Sequence, residues 1–266
     1  MRAFVVTVAS HEVELASDAL WGLGVVAIEE RALGAAFVEL WTSLGDDADP
    51  SSIDVPTAWP SRFVEVDETA ADTWRDFAEP IWVDDNLVVR PAWVPFDAPA
   101  GVTVLHIEPG ATFGMGDHPT TMLSLRALQR LVQPGCSVLD VGCGSGVLAI
   151  AACAFGAASA VAVDIAPAAV STTRANADAN GVGERVSVST TDLADVEGSY
   201  DLVLANILAP TLVALAANLR RVVTPGGALV ISGVLAEAHA HVLAALAPLH
   251  VVATDDLNGW AAITLR

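Results

Sequence analysis

From Val102 onward the sequence predicts an α/β fold, a mostly parallel seven-stranded sheet with helices on both faces. Three observations predict it. A β-branched run, Val138-Leu139-Asp140-Val141, meets Gly142-Cys143-Gly144-Ser145-Gly146 and then a helical stretch, Val147 to Ala152. A second apolar run, Ala160 to Val163, ends in Asp164 and is followed by a helix that opens at Pro167 and stops at Gly181. Strand patterns at Val186–Ser189, Tyr200–Ile207 and Ala228–Ser232, and near Val251 and Ile263, then alternate with helical patterns at 210–221 and 236–246.

The elements before this region have a different character. Ala3 to Val8 alternates as a strand, and Ser10 is placed to cap a helix through Leu20-Trp21 that Gly22 and Gly24 end. Val25–Glu30 and Ala35–Trp41 read as two strands around Ala32-Leu33-Gly34, and Arg62–Val66 as one more. Gly45 to Pro60 is acidic and proline-bearing and reads as loop. Residues 1–67 therefore form a small α+β domain. A connecting helix over 67–77 and an extended stretch punctuated by Pro80, Pro91, Pro95 and Pro99 make 68–101 a linker that also packs on the next domain. The α/β domain occupies 102–266 and begins with a strand at Val104–Ile107. A glycine-rich loop, Glu108 to Gly116, and a helix opening at Pro119 follow.

Composition excludes several function classes. With 12 basic residues against 32 acidic ones the formal charge is −20, which opposes direct binding to nucleic acid and favours a basic partner. All the basic residues are Arg. Three cysteines, Cys136, Cys143 and Cys153, with no C-x-x-C pair, fit buried thiols in a reducing compartment rather than disulfides or a zinc site. The opening strand lacks a basic leader pattern, and no apolar stretch is long enough for a membrane span. The expected location is cytoplasmic, with no metal and no membrane partner.

The glycine turn points to a cofactor. Glycine lets the backbone turn sharply and lets a ligand lie against it, and the helix start offers free N–H groups. A dinucleotide site has the spacing G-x-G-x-x-G; here it is G-x-G-x-G, with Asp140 just before it. S-adenosylmethionine carries an amino group, a carboxylate and a ribose. Asp140 suits the amino group, and Asp164, 22 residues after Gly142, suits the ribose hydroxyls. This spacing favours S-adenosylmethionine over a nicotinamide cofactor.

Three separated stretches resemble one family. They are Pro109-Gly110-Ala111-Thr112-Phe113-Gly114-Met115-Gly116-Asp117-His118-Pro119-Thr120-Thr121, the glycine turn, and Asp201-Leu202-Val203-Leu204-Ala205-Asn206-Ile207-Leu208. Together they resemble the PrmA family, bacterial class I methyltransferases that trimethylate amino groups of ribosomal protein L11. The resemblance runs from about Trp74 to the end and is strongest over 108–235. It implies a Rossmann-like methyltransferase domain behind a ferredoxin-like domain that grips the protein substrate. It places the cofactor-contacting positions on Thr121, Gly142, Asp164 and Asn206. Met115 stands where the family usually has threonine, and Ala70 replaces the first tryptophan of its W-x-x-x-W segment, Trp74 being the second. The second helix of the ferredoxin-like domain has no counterpart in the loop-like 45–60 region.

The chemistry follows from the nucleophile. A lysine amine has a pKa of about 10.4 and must lose a proton before attack; desolvation lowers that pKa. Acceptors on the remaining amine hydrogens then aim the lone pair. Asn206 supplies a side-chain carbonyl oxygen for this, and the Ile207 backbone carbonyl is a candidate second acceptor. Asn206 is thus the candidate catalytic residue, with Thr121, Gly142, Gly144, Asp164, Asn206, Phe113 and Asp192 as candidate cofactor contacts. Plainer roles stand beside these: Asp164 and Asp192 as caps, Thr121 bonded to its own helix, Phe113 as core, Asn206 as a strand-ending turn residue. His118 beside Pro119 suits a structural hydrogen bond better than proton transfer. The expected activity is methyl transfer to a ribosomal protein. The alternatives are the same chemistry on another protein or a small amine, and a non-catalytic binding module. The chain should bind S-adenosylhomocysteine and not NAD in calorimetry, and tight NAD binding with no response to S-adenosylhomocysteine would overturn the cofactor reading.

Overall fold

The structure, a computed structural model, describes residues 2–23, 25, 28–34, 36–44, 53, 55–65, 79–91, 93–108, 114 and 116–266. It divides into two units, Met1–Ala78 and Glu79–Arg266.

The first unit holds β1 (Arg2–Ala9), α1 (Val13–Gly22), β2 (Ile28–Leu33), β3 (Phe37–Thr42) and β4 (Ser61–Glu65). The sheet order is β2-β3-β1-β4, and every neighbouring pair is antiparallel. That is the order of a ferredoxin-like sheet. One face carries Phe4, Val6, Val8 and Leu40, packed with Ala16 and Leu20 of α1 and with Trp59. Ser10 lies inside a short 3-10 turn, Ser10–Glu12, ahead of α1, rather than capping it. The two expected hairpin strands are displaced toward the C-terminus, because the reversal falls at Gly34, whose φ is +73°. The expected helix over 67–77, including Trp74, lies outside the described residues, as does most of the 45–60 loop.

The second unit opens differently from the linker expected over 68–101. Within it, β5 (Ile81–Asp84) and β6 (Leu87–Arg90) form a hairpin, and β6 pairs in parallel with β7 (Thr103–His106). Val83, Leu87 and Val89 are fully buried in the same core as Leu125 and Leu128. The prolines hid a strand pair whose apolar residues are too few per strand to stand out. This segment is part of the second unit's core.

The main elements then follow as α2 (Pro119–Leu131), β8 (Ser137–Val141), α3 (Val147–Ala154), β9 (Ser159–Val163) and α4 (Pro167–Ala179). After them come β10 (Val186–Ser189), β11 (Tyr200–Asn206), α5 (Ala209–Arg221), β12 (Val223–Leu235), α6 (Ala240–Leu246), β13 (Val251–Leu257) and β14 (Trp260–Leu265). The seven strands order as β10-β9-β8-β11-β12-β14-β13. The first five run parallel, and β14 is antiparallel to both its neighbours. The expected mostly parallel seven-stranded sheet is present. Two details differ. The Pro225-Gly226-Gly227 turn is a bulge inside β12, where the register with β11 jumps from Tyr200↔Val223 to Leu202↔Ala228. The helix expected from Ala236 starts at Ala240, because the Ala236 N–H bonds the Gly259 carbonyl.

Two apolar layers flank the sheet. One joins α3 and residues 83–107 to one face, and the other joins α5 and α6 to the opposite face. Helix α3 is buried over Val147–Cys153, which explains its lack of any polar face. Leu204 is fully buried in central strand β11. Leu204→Ala should cost about 2–5 kcal/mol of stability, read from the urea midpoint; a loss below about 1 kcal/mol would show that the core collapses around the gap.

Candidate functional site

The order of the sheet fixes where a ligand can sit. From β8 the chain steps outward to β9 and β10, then returns to β11 on the other side of β8. The loops after β8 and β11 therefore part, leaving a crevice at the carboxyl ends of these strands. The glycine turn leaves β8 on one side, and Asn206 ends β11 on the other, one position beyond the Ala205↔Val141 pair.

Gly142, Gly144 and Gly146 all have positive φ, at +74°, +53° and +81°. A Cβ on Gly142 would stand 2.4 Å from Ile207 Cγ2, and one on Gly146 would stand 2.6 Å from Thr173 Cγ2. The turn is held from both flanks. Gly142 N–H donates to the Val163 carbonyl at 2.8 Å, and Thr173 Oγ1 donates to the Gly144 carbonyl at 3.1 Å. Asp164 binds the Gly144 N–H through Oδ2 and the Ala166 N–H through Oδ1, both at 2.9 Å. It therefore closes a tight turn onto Ala166, the residue just before α4, and it also locks the second glycine of the glycine turn. Its neighbour Ile165 is 93% exposed, an apolar side chain held out beside the acid.

Asp140 is the most costly residue of the site. It is 1% exposed, and Oδ2 accepts from the Ala149 N–H at 3.1 Å, while Oδ1 has no partner among the described residues. Burial pushes its carboxyl up to about 7, with the nearby Asp164 charge adding to the rise and the Ala149 bond opposing it. An orphaned buried oxygen at the foot of a glycine turn fits a ligand that brings a donor group. Cys143, in the turn itself, is also held far from thiolate by burial and by the acids around it.

On the opposite wall, Asn206 Nδ2 donates to Thr121 Oγ1 at 3.4 Å, an orientation that leaves Oδ1 to accept. Thr121 is buried in the first turn of α2. His118 caps that helix: its Nδ1 lies 2.8 Å from Thr120 Oγ1 and accepts from the Thr120 N–H at 3.3 Å. Its ring stands edge-on to Trp260, with centroids 5.2 Å apart, and burial lowers its pKa. The structural role expected for His118 is what this geometry provides. Asp192 caps a 3-10 turn, Leu193–Asp195, by accepting from the Ala194 N–H at 2.8 Å. Phe113 and Met115 lie outside the described residues.

Several residues of the site escaped the sequence. Gly233, in β12, has φ +82°, and a Cβ there would stand 2.5 Å from the Ile207 carbonyl oxygen. A glycine inside an apolar strand was the available signal. Buried Ser232 donates to the carbonyls of Ala261 and Thr120, at 3.0 and 3.3 Å, tying α2 to the sheet beside Asn206. Ser145 Oγ donates to the Gly114 carbonyl at 2.6 Å, joining the glycine turn to the preceding loop. Among the described residues no cluster of three or more His, Cys, Asp or Glu could hold a metal, and no helix is long and apolar enough to cross a membrane.

This strand order, the acid–glycine turn and the acid at the next strand end define a class I S-adenosylmethionine-dependent methyltransferase domain. The family model for ribosomal protein L11 methyltransferase (PrmA) matches residues 60–266, and the chain belongs to that family. It is 42% identical over 208 residues to the ribosomal protein L11 methyltransferase of Geobacter sp. strain M21, covering 75% of this chain and 67% of that protein. It is 38% identical over 291 residues to the enzyme of the same name from Cupriavidus necator, covering 97% of this chain and 95% of that one. The crystal structure of ribosomal protein L11 methylase from Lactobacillus delbrueckii subsp. bulgaricus matches with a TM-score of 0.65 at 30% identity. That match covers 70% of this chain and 96% of the other.

Asp140 makes the free protein pH-sensitive. Its folded pKa, about 7, lies above the ordinary carboxylate value, so the native state holds a proton that the unfolded chain has lost. The stability it contributes is present below about pH 4 and is lost as pH rises through about 7. Asp140→Asn should therefore raise the melting temperature at pH 8 and leave it unchanged near pH 4, while weakening S-adenosylhomocysteine binding. An equal effect of the substitution at both pH values would show that Asp140 stays ionised throughout.

Proposed function

We propose that this chain transfers methyl groups from S-adenosylmethionine to amino groups of a ribosomal protein in the cytoplasm, with ribosomal protein L11 as its substrate and lysine side chains or the N-terminus as the targets. The observation that carries the reading is the Asn206 amide, fixed by Thr121 across the crevice from the glycine turn. The names of the relatives support the substrate. Charge supports a basic partner: residues 1–78 hold 15 acidic residues against four arginines, a formal −11. In this reading the first unit, Met1–Ala78, selects the substrate and the second, Glu79–Arg266, carries the chemistry.

S-adenosylmethionine, when bound, supplies a methyl group already activated by its sulfonium. The protein's task is chiefly positioning. The glycine turn at Gly142 and Gly144 gives the cofactor a backbone surface without side chains. Asp140 Oδ1 takes the cofactor's amino group, which satisfies the orphaned acceptor. Each Asp164 oxygen holds one backbone N–H and keeps a further lone pair for a ribose hydroxyl. Ile165 offers an apolar face beside it for the adenine ring, with the free oxygen of Asp192 as a partner for the exocyclic amine. Thr121 closes the site from the α2 side, and Phe113 is a further cofactor contact expected from the sequence. Asn206 Oδ1 and the Ile207 carbonyl accept the amine hydrogens and aim the lone pair.

The test uses tritiated S-adenosylmethionine and a ribosome extract from cells lacking this methyltransferase. The expected result is one labelled small basic protein that mass spectrometry identifies as ribosomal protein L11. Asn206→Ala should lower kcat by about a hundredfold or more in that assay. Label on a small amine alone, or full turnover by Asn206→Ala, would overturn the reading.

A further inference from the structure

Helix α4 makes an unusual contact with β7. Asn180 Oδ1 accepts from the His106 N–H at 2.9 Å, and its Nδ2 donates back to the His106 carbonyl at 2.7 Å. One turn earlier, Asn176 Oδ1 accepts from the Glu108 N–H at 3.0 Å, and its Nδ2 donates to the Glu108 carbonyl at 2.8 Å. Four helical residues advance about 6.0 Å, and two strand residues advance about 6.6 Å. The two amides therefore stand in register with alternate residues of the extended 106–108 segment. Each replaces the peptide group of a missing neighbouring strand, because β7 is an edge of its three-stranded sheet.

Asn176 does one thing more. Its Nδ2 also donates to the Ser145 carbonyl at 2.9 Å, inside the glycine turn, and the residue is only 3% exposed. Glu108 is the first residue of the loop that leads to Gly114, and Gly114 accepts from Ser145 Oγ. Asn176 thus bridges Glu108 and the glycine turn at Ser145. Asn180 has the same number of side-chain bonds, but its third goes to the Asn176 carbonyl, at 2.7 Å, and none reaches the glycine turn.

We propose that Asn176 is a positioning residue for methyl transfer, setting the spacing between the glycine turn and the loop that begins at Glu108, and so the cofactor's affinity. The proposal rests on the glycine turn being the cofactor site. Its effect belongs to cofactor binding more than to the chemical step, because Asn176 touches the backbone of Glu108 and of the glycine turn and not Asn206.

Asn180→Ala is the control, since it removes an equal number of side-chain amide bonds from the residue that ends the same helix. Melting temperature, the Kd of S-adenosylhomocysteine by calorimetry, and KM and kcat are measured for the full chain and both variants, well below their melting points. Both variants should melt at lower temperature. Asn176→Ala should bind S-adenosylhomocysteine roughly tenfold more weakly or worse, with KM for S-adenosylmethionine raised and kcat changed much less. Asn180→Ala should stay within about twofold of the parent Kd. If Asn176→Ala does not fold, Asn176→Ser replaces it under the same criteria, since one hydroxyl cannot bridge both carbonyls. Equal Kd changes in the two variants, or a parent-like Kd in the Asn176 variant, would overturn the proposal. A parent protein that binds no S-adenosylhomocysteine would instead overturn the cofactor assignment.

Discussion

The site depends on one steric constraint: two parallel strands, β8 and β11, end side by side, and the chain leaving each must clear the other. Ile207 follows Asn206 directly and lies against Gly142, where there is no space for a Cβ. The Ile207 carbonyl in turn lies against Gly233, where again none fits. Gly142, Ile207 and Gly233 therefore form one close-packed row across three neighbouring strands, with glycine at both flanks. A side chain at either flank would push Ile207, and with it the Asn206 amide, out of line with the crevice. The glycine turn is thus a packing requirement of the sheet as much as a surface for a ligand.

Around this row the protein accepts a local loss of stability. A carboxyl group with one oxygen unpaired, fully buried and near a second acid, opposes folding whenever it is ionised. No apolar substitute of the same shape would carry that cost. The surrounding interactions offset it. Asp164 braces the turn at Gly144, Thr173 braces the Gly144 carbonyl, and Ser145 and Asn176 tie the turn to the loop before α2. Two of these residues, Thr173 and Asn176, lie in α4, Asp164 follows β9, and Ser145 belongs to the turn itself. The turn therefore keeps its shape even though the carboxylate beneath it is unfavourable in the free protein.

The local parts of this arrangement were legible in the sequence, and the long-range parts were not. G-x-G-x-G with flanking acids announced the turn, because positive φ at alternate residues restricts the choice to glycine. The parallel sheet followed from alternating apolar runs. The strand pair at 81–90 was hidden by prolines that lie just outside it, at 80 and 91. The bulge at Pro225-Gly226-Gly227 read as a turn because its residues are those of a turn, and only pairing with β11 on both sides of it, at Val223 and Ala228, keeps it within a strand. Asn176 and Asn180 gave no signal, since two amides four apart in an alanine-rich helix look like a solvated face. Their role exists only once β7 lies beside α4, 68 and 74 residues away along the chain.

The two walls of the crevice also divide the chemical labour. The glycine-turn wall carries the acids, Asp140 and Asp164. The Asn206 wall carries neutral groups: an amide, the Thr121 hydroxyl and backbone carbonyls. His118, three residues before Thr121, commits Nδ1 to capping α2, and burial holds its pKa below the ordinary histidine value. A neutral wall suits an amine that reacts through a lone pair. A carboxylate there would hold the amine as an ammonium ion, which has no lone pair to attack with. An amide oxygen accepts a hydrogen bond without stabilising the charged form to the same degree. In the proposed function, separating the acids assigned to the cofactor from the neutral acceptors assigned to the nucleophile lets one small site favour charge on one side and oppose it on the other.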